Sequence, residues 1–146
     1  MPIKLEIVTA ERLVYSGDVD LVSAPGVMGR LGVLPKHSPL LTALEEGELR
    51  FKKGDEEESF AVSGGFMEVH PDRVIVLADT AERAEEIDLE RAEAARQRAE
   101  KLLKEKLPGV DMTAIEGALR RSRIRLKVGR RRRRKKPFPA VKSPEE

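Results

Sequence analysis

The sequence predicts an α+β chain: an N-terminal antiparallel β-sandwich over residues 1–86, an antiparallel two-helix hairpin over 87–128, and a disordered basic tail over 129–146. Three observations point there. Residues 3–79 alternate apolar and polar side chains in short runs separated by turn-forming residues, which is the pattern of half-buried strands. From Asp88 onward the composition turns to Ala, Glu, Arg, Leu and Lys, all strong helix formers. The charge divides along the same lines. Residues 1–86 carry 9 basic and 17 acidic side chains (net −8), residues 87–128 carry 11 and 7 (net +4), and residues 129–146 carry 8 and 2 (net +6). An acidic body joined to a basic arm implies that the arm meets an acidic partner or a polyanion.

The elements follow in order. Ile3, Leu5 and Ile7 share one face of a first strand over 3–8. Leu13-Val14-Tyr15 and Val19–Val22 read as two further runs, broken at Ser16-Gly17-Asp18 by turn chemistry. Gly26-Val-Met-Gly29-Arg-Leu-Gly32 reads as a turn-rich connection. Leu40–Leu44 is a short strand that Glu45-Glu46-Gly47 turns into Glu48–Lys52. Lys53-Gly54-Asp55 is a hairpin tip leading to Ser59–Ser63, Gly64-Gly65 a bulge or kink, and Phe66–Val69 the continuation. Pro71-Asp72 turns the chain into Val74–Ala78, and Ala81–Glu86 reads as an acidic connector.

The helical part opens at Asp88 as N-cap and runs to Leu107 with Ala92, Ala95, Ala99 and Leu102 as a small-residue stripe. Pro108-Gly109 ends it. Thr113-Ala-Ile-Glu116 matches a capping box for a second helix, whose stripe is Ile115, Leu119, Ser122 and Leu126, with Gly129 as the stop. Neither stripe buries much apolar area, so the hairpin is expected to dock or detach without melting the β domain. Seven consecutive cations, Arg130 to Lys136, and three prolines then form a tail without packing periodicity.

Composition excludes several chemistries. The chain of 146 residues has no Cys, so neither disulfides, thiolate-bound metals nor a thiol nucleophile are available. No run approaches 18 apolar residues, and the N-terminus opens on strand-like sequence rather than a signal peptide. The two histidines, His37 and His70, lack the spacing of a metal pair, and the Gly-rich segment is neither GxGxxG nor GxxxxGK. Arg120, Arg121, Arg123, Arg125 and Lys127 crowd one helix without an intervening acid, which reads either as a solvated face or as a site for acidic partners. No aromatic is interleaved in the tail run, so a stacking platform for single-stranded nucleic acid is missing there.

Pro25-Gly-Val-Met-Gly-Arg-Leu-Gly-Val-Leu-Pro-Lys-His-Ser-Pro-Leu-Leu-Thr-Ala-Leu44 resembles the signature loop of the ε subunits of bacterial and chloroplast F-type ATP synthases. Phe60–Val69 and Val76–Ala84 resemble two further segments of that family, in the same order. The resemblance implies a non-catalytic central-stalk subunit with no required cofactor. It would bind the γ subunit, touch the c-ring through a loop at Met28, Arg30 and His37, and sit peripherally on the cytoplasmic face of the bacterial plasma membrane. The family often carries acids where Met28 and Arg30 stand. The hairpin is expected to inhibit ATP hydrolysis, with Arg120, Arg121, Arg123 and Arg125 reaching the catalytic β subunits (and α). Ile87-Asp-Leu-Glu-Arg-Ala92 is similar to the I/L-D-x-x-R-A motif with which some bacterial ε subunits bind ATP. That similarity implies a regulatory ATP site at Ile87, Asp88, Arg91, Ala92, Arg98, Arg121 and Arg125. The alternative reading is a nucleic-acid-binding adaptor with a β domain and a basic arm; under the resemblance no nucleic acid is expected. A third is a free-standing ATP-binding module.

Overall fold

The computed structural model describes residues 2–135. Eight strands are followed by two helices: β1 Ile3–Val8, β2 Leu13–Val19, β3 Leu21–Gly26, β4 Gly29–Val33, β5 Leu40–Lys53, β6 Glu56–Val69, β7 Arg73–Ala78, β8 Ala81–Arg83, α1 Leu89–Glu105 and α2 Met112–Lys135. The hydrogen-bonded order is β2-β1-β7-β6-β5-β3-β4, with β8 also on β6. The sheet folds over itself as a sandwich. Ile3, Leu5 and Ile7 of β1 share one core with Val22, Val33, Leu49 and Phe60, and the Tyr15 ring of β2 lies 4.4 Å from that of Phe51 on β5. One pair departs from the antiparallel expectation: β1 and β7 run parallel, Lys4 beside Arg73 through Val8 beside Leu77.

Several breaks expected from turn residues are absent, and packing explains why. Ser16-Gly17-Asp18 lies inside β2, with Gly17 opposite Leu5. A Cβ on Gly17 would stand 2.6 Å from the Tyr15 hydroxyl, so the glycine makes room for a folded-over ring rather than a turn. Glu45-Glu46-Gly47 likewise lies inside β5, where a Cβ on Gly47 would strike Pro25 at 2.8 Å. The expected connector at 81–86 contains β8, paired with β6, and a 3-10 turn at Ala84–Glu86. By contrast, Gly54-Asp55 is the β5–β6 hairpin tip, as read from sequence. Gly64 and Gly65 kink β6 at φ +107° and +118°.

The helices differ from expectation at their ends. Asp88 caps α1, its Oδ1 accepting from the Arg91 N–H at 3.1 Å. The second cap is Asp111, not the Thr113 box: its Oδ1 accepts from Thr113 N–H at 3.0 Å and Ala114 N–H at 3.3 Å, and Thr113 is already helical. Gly129 does not stop α2, which runs on to Lys135. A Cβ there would meet Leu89 at 2.6 Å, so Gly129 serves close helix contact. The remainder of the expected disordered tail, residues 136–146, lies outside the described residues. The seam buries Ala92, Ala99, Ile115, Leu119, Ser122 and Leu126, whereas Leu102 turns outward.

Candidate functional site

The hairpin does not hang free: α2 lies against β5, β6 and the 3-10 turn. One apolar patch contributes, in which Ile87, Ala84, Ala61 and Val128 are buried together with Leu89 and Ile124 at their edge. Charge contributes the rest. Arg125 is bidentate on Glu82 of β8 at 2.8 and 3.0 Å, Arg120 stands 3.7 Å from Glu46, and Arg131 bonds Glu48. Glu46, Glu48 and Glu82 were not singled out by the sequence, although strand alternation around Leu49 and Phe51 already turned Glu46 and Glu48 away from the sandwich core.

Between the helices, Arg123 meets Glu100 at 3.6 Å and Arg130 meets Glu93 at 3.5 Å. Arg96 bridges Glu93 and Glu100 along α1. Its hydrogen bond holds the Glu93 carboxyl below the usual carboxylate range, and the two carboxylates raise Arg96 in turn. This network occupies one flank of the seam. A rotation of about 100° per residue puts Arg91 and Arg98 on the opposite flank of α1, and Arg121 and Arg125 on the opposite flank of α2. In an antiparallel pair those two flanks lie on the same side.

The other residues expected at a nucleotide site are already engaged. Ile87 and Ala92 are buried in packing, and Asp88 caps α1. Arg121 and Arg125 line a cleft with Ala61, Val62, Ser63, Thr80 and Glu82 whose volume is about 50 Å³. Ligand pockets typically measure roughly 300–1,000 Å³, so this cleft by itself does not enclose a nucleotide. Among the described residues no group of His, Cys, Asp or Glu is arranged to hold a metal.

A second region is the β3–β4 hairpin. Gly26 pairs with Gly29, and the two-residue tip Val27-Met28 leaves Met28 95% exposed. Arg30 does not point from this tip. It folds back, donating to Ser23 Oγ at 2.7 Å and to the Glu48 carbonyl, and burial followed by the neighbouring Arg50 lowers its pKa. The His37 Nδ1 lies 2.7 Å from the Ser38 carbonyl in the next loop.

A third region escaped the sequence reading. Register aligns Leu13 with Val8, Val8 with Leu77, Leu77 with Phe66, and Phe66 with Ala43, across β2, β1, β7, β6 and β5. Leu13, Leu77 and Phe66 are each a little over half exposed, and Leu41 beside them is 68% exposed. A continuous apolar row on the outer face of a sheet is the usual mark of a protein-binding surface. Its signal was present in the alternation, since inward Met67 and Val76 leave Phe66 and Leu77 facing out.

Comparison with known proteins adds the family. Residues 2–84 match the model of the ATP synthase delta/epsilon chain β-sandwich domain, and residues 85–129 that of its long α-helix domain. An ATP synthase epsilon chain of Herpetosiphon aurantiacus is 56% identical over 91% of this chain and 98% of its own. One of Dehalococcoides mccartyi is 57% identical over 90% and 94%. Among solved structures, a chain of the Euglena gracilis mitochondrial ATP synthase shares the fold at a TM-score of 0.73 and 24% identity, covering 82% of this chain and 76% of that one.

Proposed function

The chain belongs to the ATP synthase delta/epsilon chain family, and from that premise we propose that it is the non-catalytic ε subunit of the central stalk of a proton-translocating F-type ATP synthase. In this reading it links the γ subunit to the c-ring at the cytoplasmic face of the bacterial plasma membrane. Among the described residues no helix is long and apolar enough to cross a membrane; in this reading attachment runs through the complex. The observation that carries the reading is the near full-length identity of 56–57% to epsilon chains. The apolar row Leu13–Leu77–Phe66–Leu41 is the surface offered to γ, and the Met28 tip the surface offered to the c-ring, through apolar and backbone groups rather than a carboxylate.

The hairpin inhibits ATP hydrolysis when it leaves the sandwich and presents Arg120, Arg121, Arg123 and Arg125 to the catalytic β subunits. ATP favours the docked state, its phosphates taken by Arg91, Arg98, Arg121 and Arg125, whose guanidinium forks suit phosphate oxygens. Arg125 must then exchange Glu82 for the ligand. The adaptor reading is less well supported, since Arg120, Arg125 and Arg131 are already paired with carboxylates of the β domain.

The test adds the full chain to an F1 complex stripped of its own ε subunit. Comigration with the complex and slower ATP hydrolysis are expected. Phe66→Asp combined with Leu77→Asp should abolish comigration while circular dichroism stays native. Comigration untouched by the pair would remove the γ-facing role assigned to this row.

A further inference from the structure

Among the described residues Glu48 is the one charged side chain that is buried, at 3% exposure. It sits in mid-strand on β5, facing away from the sandwich core, and α2 covers it. Its Oε1 accepts from Arg131 Nη1, reaching from near the end of α2, and Arg50 Nε lies 3.7 Å away. Its Oε2 has no hydrogen-bond donor, and neither Arg50 Nε nor Glu46 Oε2, on the same face of β5, has a hydrogen-bond partner. The backbone carbonyl of Glu48 is held separately by Arg30 from β4. The contact between the end of α2 and the sheet is thus a buried and only half-satisfied polar seam.

We propose that Glu48 and Arg131 form a latch that holds the C-terminal turns of α2 on β5 and is built to open. A buried ion pair is costly to break from one side, because the remaining charge is left desolvated. When the whole helix end lifts, both charges regain water and little is lost. An apolar pair in the same place would hold as well or better but would not release so readily. The latch also ties the helix to the β3–β4 hairpin, since Arg30 and Arg131 grip the two ends of one residue. It is a property of the chain by itself, so its test needs no other subunit.

The measurement is hydrogen exchange of the backbone amides of 124–131 in the full chain, which speeds as the helix end, once lifted off the sheet, frays. Arg131→Ala should speed exchange at least about tenfold, and Glu48→Gln likewise. Glu48→Met combined with Arg131→Met should exchange no faster than the parent chain. Arg131→Ala changes only the helix end, so it reports even where a Glu48 variant fails to fold. Parent-like exchange in Arg131→Ala, or a double Met variant as loose as the single changes, would overturn the latch.

Discussion

Tyr15 shows how one side chain fixes its surroundings. It is the only tyrosine in the chain, stacks near Phe51 and carries the Arg83 guanidinium 5.9 Å from its ring centre. Burial, and then the Glu58 charge, raises its pKa above the ordinary value of 10.0. The sign follows directly. The folded state prefers the neutral phenol, so this contribution is complete below the unfolded pKa and is lost as pH rises through the higher folded one. Stability should therefore fall on the alkaline side, above about pH 10. Tyrosinate absorbance, unambiguous here because no other tyrosine contributes, should titrate later in the folded chain than in denaturant. Coincident titrations would contradict the burial argument. At Gly65, by contrast, a Cβ would stand 2.0 Å from the Leu77 carbonyl, so what looks like a flexible pair of glycines is a required close approach of β6 to β7.

At the scale of elements, helix ends were harder to read than helix existence. The Thr113–Glu116 spacing satisfies the capping-box pattern, yet Asp111 two residues earlier provides the acceptor. An Asp places a charged oxygen near the free N–H groups and the positive end of the helix dipole, so the earlier residue wins. Asp111→Ala should cost about 1 kcal/mol of hairpin stability. Thr113→Ala should cost at most a few tenths of that unit, since Ala is the better helix former. Thermal unfolding followed at the helical signal separates them; equal losses would restore the threonine cap. The strands teach a complementary lesson. Glu45-Glu46-Gly47 carries turn residues, yet thirteen ladder positions of β5 against β6 run from Leu40 to Lys53 through them. Cross-strand pairing with β6 overrides local preference.

At the scale of the whole molecule, the question is how a weakly packed hairpin stays down. Its apolar seam with the sheet is small, and its ion pairs at Glu82 and Glu46 are partly exposed, where single pairs contribute only ~0–1 kcal/mol. Docking is therefore poised, and a ligand need add only its differential affinity for the docked form. Calorimetric titration of the full chain with ATP is expected to show binding that Arg91→Ala weakens. Arg125→Ala should weaken it too, by about tenfold if one charge-assisted fork to phosphate is lost. Binding untouched by both substitutions, or none at millimolar ATP, would remove the nucleotide site and leave Asp88 simply as a helix cap.

Sequence by itself determined the two-part architecture, the inward face of β1, the Asp88 cap, the hairpin tip at Gly54 and the family signature, because each rests on local periodicity, local turn chemistry or contiguous motif. Four of the predicted nucleotide residues, Arg91, Arg98, Arg121 and Arg125, could be named from sequence, and their common flank follows from helical spacing once the hairpin is antiparallel. Only the tertiary structure decided what Gly17, Gly47 and Gly129 are for, since each answers to an atom far away or to a ring folded back over it. It alone showed that Arg30 folds back onto the Glu48 carbonyl, that Arg125 is held by Glu82, and that Glu48 lies buried beneath α2. Alternation tells which side of a sheet a residue faces, but whether that side meets water or a helix depends on contacts some 40 to 80 residues away in sequence, which no local pattern encodes.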